Sequence, residues 1–283
     1  MTVMNSDKNS EMQGLYGSQP LCEEAILSRV LEHRGSLRNL CELDLAWDAT
    51  VVTDQDHVGG MNFTLALAQA ARFNSATRLI DLACGLGGSA RALAFFYGCS
   101  VHGIDISSKR IEEAIDLTSR VGLSVCASFQ AGDVMNMDPP DRRFDVLWGQ
   151  SSWSQFYDKN RFLGRWAEVL APSGTIALED MYLKRPPQSR QESLRLAALE
   201  NASSNYFVSE REWTHILWRQ KFEIAHREDL TPELARECAI ASIPGRRDAL
   251  SPSAKLEADK SRMILELVNA DVLGYFRLVA DQR

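Results

Sequence analysis

An α/β fold built on a doubly wound, mostly parallel sheet is the class this sequence predicts, and three observations predict it. Thr77 to Arg91 reads T-R-L-I-D-L-A-C-G-L-G-G-S-A-R, a short apolar strand, a glycine turn and a helix, which is the local order of a nucleotide-binding unit. A second apolar strand, Val101 to Ile106, carries Asp105 near its end, 20 residues after Gly85. An acid at about that offset accepts hydrogen bonds from the ribose hydroxyls of an adenosine. Further along, strand-like and helix-like stretches alternate, the pattern of a parallel sheet covered by helices on both faces.

Helical spacing runs from Leu21 to Glu32 through Leu21, Ile26, Val30 and Leu31, and again from Ser36 to Leu45. Trp47 to Gly60 reads as a loop, and Asn62 to Arg72 as the helix that feeds the first strand. Leu79 to Leu82 is mostly apolar, as strands buried on both faces are. Glycine is needed in the turn because a Cβ would hold a ligand away from the backbone. The helix from Ser89 to Tyr97 adds unpaired N–H groups and a partial positive charge at its start. A helix follows over Ser108 to Val121, a third strand over Ser124 to Phe129 and a fourth over Phe144 to Trp148. Phe162, Trp166 and Val169 share one face of a helix spanning Arg161 to Leu170. Pro172-Ser173-Gly174 turns the chain into a fifth strand, Thr175 to Leu178. Arg190 to Leu217 is helical in pattern, Phe222 to Glu228 reads as a sixth strand, Ala254 to Asn269 as a helix and Val272 to Val279 as a final strand.

The stretch D-L-A-C-G-L-G-G-S-A-R resembles the first motif of class I S-adenosylmethionine (SAM) methyltransferases, Asp81 inside the strand included. Its spacing departs from G-x-G-x-x-G, since Ala90 stands where the dinucleotide fingerprint has a third glycine. From about Trp47 to Met181 the chain is similar to the subgroup that methylates small molecules: sarcosine and dimethylglycine N-, sterol and tocopherol C-, and antibiotic-sugar O-methyltransferases. The resemblance implies a Rossmann-like sheet of seven strands, mostly parallel with the last antiparallel, and a helical cap inserted after the fifth strand. It implies N-terminal helices and a lid over residues 1–75, and a SAM-binding core over 76–283 with cap helices at about 185–220. SAM is the implied cofactor and S-adenosylhomocysteine the product. Its implied contacts are Asp81, Ala83, Gly85 and Gly87 at the turn, Asp105 and Ile106 at the ribose, Asp133 and Val134 at the adenine, and Gln150 under the methionine part. Gly132-Asp133 is also a common turn pair, and a plain turn is the alternative there.

A net charge of −7 and the absence of any Lys/Arg run argue against a nucleic-acid surface. No apolar stretch approaches the ~20 residues of a membrane helix, and the polar start M-T-V-M-N-S-D-K-N-S lacks a signal-peptide core. The six cysteines are scattered without C-x-x-C pairs, which predicts reduced thiols and a cytoplasmic protein. No Asp/His/Glu cluster has metal-ligand spacing, so no metal is expected. Oligomerisation stays open.

On the acceptor side the chain departs from its relatives. Within Trp148 to Asp158 some O-methylating relatives carry a His as general base, and several have an acid near the start. Gln155 and Ser151 stand at those positions here. Gln155 can orient a substrate but takes no proton at neutral pH. Asp180 matches an acid that several relatives use to hold or deprotonate the acceptor, the alternative being a capping or solvated acid. His57, in D-H-V-G-G, falls in the loop that covers the cofactor in relatives, and either touches substrate or closes the lid. Asp180, His57 and Gln155 are therefore the catalytic candidates, and Trp153, Gln155, Tyr206 and Trp213 the acceptor contacts. Trp47 belongs to the same group of aromatics, Tyr16 is a further candidate to close over the cofactor, and His215 reads as a packing residue. Aromatic faces attract a sulfonium or an amine cation. Core packing is the alternative, and the one expected of Trp148 and Trp166. The missing His tilts the reading to a small-molecule amine as acceptor. The alternatives are O- or C-methylation with Asp180 or His57 as base, and SAM binding without transfer, as a regulator or cyclisation catalyst.

Overall fold

The computed structural model describes residues 21–46, 53–242 and 252–283; Tyr16 and Trp47 lie outside them. Seven strands form one mixed sheet in the order β3-β2-β1-β4-β5-β7-β6. The chain divides into two compact units, Met1–Trp148 and Gly149–Arg283.

The first unit begins with helices α1 (Glu23–Arg34), α2 (Glu42–Ala46) and α3 (Gly60–Ala70). It continues as β1 (Arg78–Leu82), α4 (Gly88–Tyr97), β2 (Ser100–Asp105), α5 (Ser108–Arg120), β3 (Ala127–Ala131) and β4 (Phe144–Gln150), whose last two residues open the second unit. β1 pairs in parallel with β2, Leu82 opposite Ile104, and with β4, Ile80 opposite Leu147. Leu79, Ile80 and Leu82 are fully buried, as a strand covered on both faces requires. Ile26, Val30, Leu40, Leu45, Leu86 and Leu117 form a second apolar cluster that ties α1 and α2 to the nucleotide-binding unit. Each such side chain contributes about 1.5–3 kcal/mol when fully buried.

Two expectations are corrected here. Ser36 to Leu45 is not one helix. Gly35 leaves α1 in the left-handed conformation, and Asn39 is left-handed as well (φ 51°), so helix resumes only at Glu42. The third strand starts at Ala127 rather than Ser124, because the Leu123 carbonyl accepts from the N–H groups of Cys126 and Ala127 and holds a turn.

The second unit holds a 3₁₀ turn (Trp153–Gln155), α6 (Lys159–Trp166), β5 (Leu170–Leu183), α7 (Arg190–Ser203), α8 (Glu210–Arg219), β6 (Phe222–Asp229), α9 (Thr231–Ala241), α10 (Pro252–Asn269) and β7 (Leu273–Gln282). β7 runs antiparallel to both β5 and β6. The helical stretch expected from Arg190 to Leu217 is two helices. Ser204 breaks it at φ 51°, and a capping box between Ser209 and Glu212 restarts it. The fifth strand outruns the expected Thr175–Leu178 because Thr175 to Leu183 all find partners on β7. Helix α9 falls outside the expected elements, and Pro232 in its first turn marks its start.

Candidate functional site

The glycine turn is built from backbone geometry. Ala83, a non-glycine at φ 68°, aims its N–H and that of Cys84 at the carbonyl of Ile104 on β2. Gly85 (φ 55°) then donates its N–H to Asp105 Oδ2 at 2.9 Å, and Ser107 donates to Oδ1 at 2.9 Å. Gly87 (φ 74°) caps α4, and a Cβ there would lie 2.5 Å from the Phe129 ring. The Gly132 N–H donates to the Asp105 carbonyl, which sets the next turn beside the first. There Asp133 accepts from the Met135 N–H and from the Asn136 amide, and Val134 is buried behind it. Ile106 is half-buried after Asp105.

Asp81 and Asp105 are both almost entirely buried. Burial, and next the Asp105 charge, push the Asp81 carboxyl up to about 8. Asp105 is also pushed up by burial, but the N–H groups of Ser107 and Gly85 and the Arg110 guanidinium pull it back. Two acids in one dry corner do not ionise together, and of the two it is Asp105 that has two backbone N–H donors. The missing side chains at 85 and 87 let Arg110 and the Phe129 ring close on the turn, which leaves the Asp105 carboxyl, with acceptor atoms of the kind a ribose hydroxyl needs, between two adjacent turns.

The loop from Thr53 to Gly60 is bolted onto this turn from one side. Asp54 pairs with Arg91 of α4 at 2.7 Å, and Glu42 of α2 approaches the same guanidinium at 3.3 Å. Arg91 also donates to the Leu86 carbonyl and the Thr118 hydroxyl. All three charged side chains are fully buried; burial and then Asp54 push the Glu42 carboxyl well above its usual range. Gly88 permits the approach, since a Cβ there would stand 2.2 Å from the Asp54 carbonyl oxygen. His57 sits in the same loop. Its Nδ1 donates to the Val58 carbonyl, and its Nε2 faces the hydroxyls of Thr64 and Ser89, each at 3.1 Å. Burial pushes the imidazole below its usual range, so the ring is neutral and both nitrogens are engaged.

In the second unit Glu179 and Asp180, adjacent on β5, point to opposite faces of the sheet. Asp180 is fully buried and accepts from the N–H groups of Ser154 at 2.6 Å and Met181 at 2.7 Å; burial lifts its carboxyl to about 6. Lys159 donates to the carbonyls of Ser154, Phe156 and Tyr206, and burial lowers its ammonium to about 8. Trp153 and Trp213 pack within this layer, their rings 6.5 Å apart, among Phe162 and Phe276. The structure places both indoles in the packed core rather than on an open wall. Tyr206 serves the layer with its backbone, its N–H donating to the Ser154 carbonyl. Gln155 is half-buried at the end of the 3₁₀ turn. On the opposite face Glu179 accepts from the Gln150 amide at 2.8 Å and from Arg277 at 2.7 Å, and burial lifts its carboxyl to about 7. Ser151, held at φ 52°, shares a hydrogen bond with the Tyr275 hydroxyl at 2.7 Å.

Sequence reasoning missed Arg91, its two acids, and the Glu179–Arg277 pair. An arginine in the otherwise small and apolar run S-A-R-A-L-A was the available signal for Arg91, because a helix face that buried takes a charge only when it is paired. No group of three or more His, Cys, Asp or Glu side chains that could hold a metal ion occurs among the described residues. All six cysteines are unpaired. No helix among the described residues is long and apolar enough to cross a membrane.

Residues 73–234, more than half of the chain, match the family described as methyltransferase domain. The chloroplastic tocopherol O-methyltransferase of Arabidopsis thaliana is 35% identical over 101 residues, which are 36% of this chain and 29% of that protein. The glycine/sarcosine/dimethylglycine N-methyltransferase of Actinopolyspora halophila is 33% identical over 104 residues, 37% of this chain and 18% of that protein. Each match spans less than a third of the relative's length. The structure of a geranyl diphosphate methyltransferase in complex with GPP and sinefungin has the same fold, with a TM-score of 0.69 at 16% identity over 97% of this chain and 99% of that one.

Proposed function

Because this chain belongs to the class I SAM-dependent methyltransferase family, we propose that it moves the methyl group of SAM to a small-molecule acceptor, with an amine nitrogen preferred. The observation that carries the reading is Asp105. It is a buried carboxylate fixed against a glycine turn by two backbone N–H groups, with lone pairs remaining for two neighbouring ribose hydroxyls. When bound, SAM supplies an electrophilic methyl group on a sulfonium sulfur. Asp105 and Ile106 receive the ribose, Asp133 and Val134 the adenine, and Gln150 the methionine end. Asp81, Ala83, Gly85 and Gly87 shape the turn that admits them.

The amine preference follows from what the possible bases are doing. Both His57 nitrogens are engaged, so His57 closes the loop and takes no proton. Asp180 already accepts from two N–H groups inside the core. Gln155 offers an amide. A neutral amine attacks with its own lone pair and loses its proton to water afterwards, so these residues need only orient it. Trp153 and Trp213 back the layer that does so, which includes Tyr206. One observation favours the second reading, O- or C-methylation: with its carboxyl at about 6, Asp180 is ionised at neutral pH and has the charge of a base.

The test is methyl transfer from isotope-labelled SAM to separate panels of small amines, phenols, sugars and prenyl compounds, with products scored by mass. A labelled amine is the expected product. A labelled oxygen or carbon product overturns the amine preference and returns Asp180 to the role of base. SAM binding with no product from any panel favours a scaffold that binds SAM without transfer.

A further inference from the structure

A charged side chain from α5 reaches the glycine turn. Arg110 lies in the first turn of α5, three residues after Ser107, and only 4% of it is exposed. Its guanidinium reaches back over the turn: a Cβ built on Gly85 would lie 3.0 Å from Arg110 Nη1. That Nη1 donates to Asp56 Oδ2 at 2.8 Å, in the loop bolted to α4. Gly85 thus has the guanidinium against its Cα and the Asp105 carboxylate on its N–H.

We propose that Arg110, held in place by Asp56, is a positioning residue for the ribose of the donor and acts through Asp105, by keeping that carboxylate ionised in a buried site. The inference rests on the donor-binding role given to Asp105 above. The groups that face Asp105 are Asp81 on β1, the Cys84 thiol in the turn, Asp56 in the loop and Arg110 on α5. Three of the four are acids and only Arg110 is a cation. Ionised, Asp105 is an acceptor at every lone pair. Two of these are taken by Gly85 and Ser107, and the others match two hydroxyl donors. Protonated, Asp105 would turn an O–H toward one of those hydroxyls and lose that match. A buried carboxylate next to a second acid needs a nearby cation to hold its charge, and the Arg110 side chain is where that cation stands. Asp56 is half-exposed and anchors the guanidinium from the solvent side.

The experiment uses the full chain and S-adenosylhomocysteine as probe, with dissociation constants measured by calorimetry from pH 5.5 to 7.5, below the range in which Asp81 ionises. For the wild type the affinity is expected to stay within about threefold across the range. Arg110→Met, which keeps bulk and removes charge, is expected to bind about 10-fold more weakly at pH 5.5 and to recover as pH rises, because Asp105 must now lose a proton to bind. Arg110→Lys should restore the flat profile. Added to Asp105→Asn, Arg110→Met should have no further effect. Should Arg110→Met not fold, Arg110→Gln is neutral, can still donate to Asp56 and carries the same test. Weakening by one constant factor at all pH values, or no weakening, overturns the role of Arg110 and leaves the function proposed above standing. Wild-type protein that binds no S-adenosylhomocysteine overturns both.

Discussion

Asp81 and Asp105 are neighbours on parallel strands that meet the same turn, and the turn tells them apart. Asp105 is fixed by two N–H donors; in the proposed complex, replacing it by Asn leaves an amide where a carboxylate would meet two hydroxyls. Asp105→Asn is expected to weaken S-adenosylhomocysteine about 10- to 100-fold at every pH, as loss of charged hydrogen bonds does, and calorimetry reads it directly. Asp81 acts on stability instead. Its carboxyl stands at about 8 in the fold and that of Glu179 at about 7, both raised chiefly by burial. A folded-state value above the unfolded one means the folded protein holds protons the unfolded chain has released. That stability is full below about pH 4 and is lost as pH rises through 7 and 8. Ligand-free melting temperatures should therefore fall between pH 5 and pH 8, and Asp81→Asn should flatten the slope; at about 2–4 °C per kcal/mol the change is measurable. Asp105 was legible in the sequence because its distance from Gly85 is a property of the chain. Arg110 and Asp56 were not, because they stand 54 positions apart in the chain and meet only when it folds back.

Helices and strands announce themselves by periodicity, and their joints do not. The strand–turn–helix unit, the alternation after it and both closing strands were readable because apolar runs and glycines are local facts. The segment from Ser36 to Leu45 misled because its apolar residues suit a helix while Gly35 and Asn39 turn left-handed. Arg91 is the corresponding case for energetics, a single guanidinium on α4 that joins α2 and the loop before α3. Arg91→Met is expected to destabilise the chain by about 3–5 kcal/mol in denaturant titrations, because it strands two buried acids. Glu42→Gln should be neutral or stabilising at pH 7, since it removes one of two carboxylates competing for one cation.

For the whole molecule, the residues proposed for the donor, Gln150 apart, belong to the unit that ends at Trp148, whereas Asp180 and Gln155, proposed to orient the acceptor, belong to the unit that begins at Gly149. Lys159 is the test of that division. It joins the 3₁₀ turn to the segment at Tyr206 by donating to three carbonyls. Lys159→Met is expected to cost about 1–3 kcal/mol of stability and to lower methyl transfer. Affinity for S-adenosylhomocysteine should stay within twofold, by calorimetry on the same preparation. The layer was only half legible from sequence. Trp153 and Trp213 stand where the chain order suggested, yet their indoles are inside, because aromatic residues at a cleft and aromatic residues in a core are spelled alike.

The tryptophans also give the molecule an optical signature. Trp148, Trp153, Trp166 and Trp213 are fully buried, whereas Trp218 is 59% exposed, with the Arg283 guanidinium 5.6 Å from its ring centroid and His215 stacked against it. Buried indoles emit in the blue and are shielded from iodide, while Trp218 emits further to the red and is quenched. Among the described tryptophans, fluorescence therefore divides into a shielded and an accessible fraction without any label, and the shielded fraction vanishes when the cores around those four indoles open.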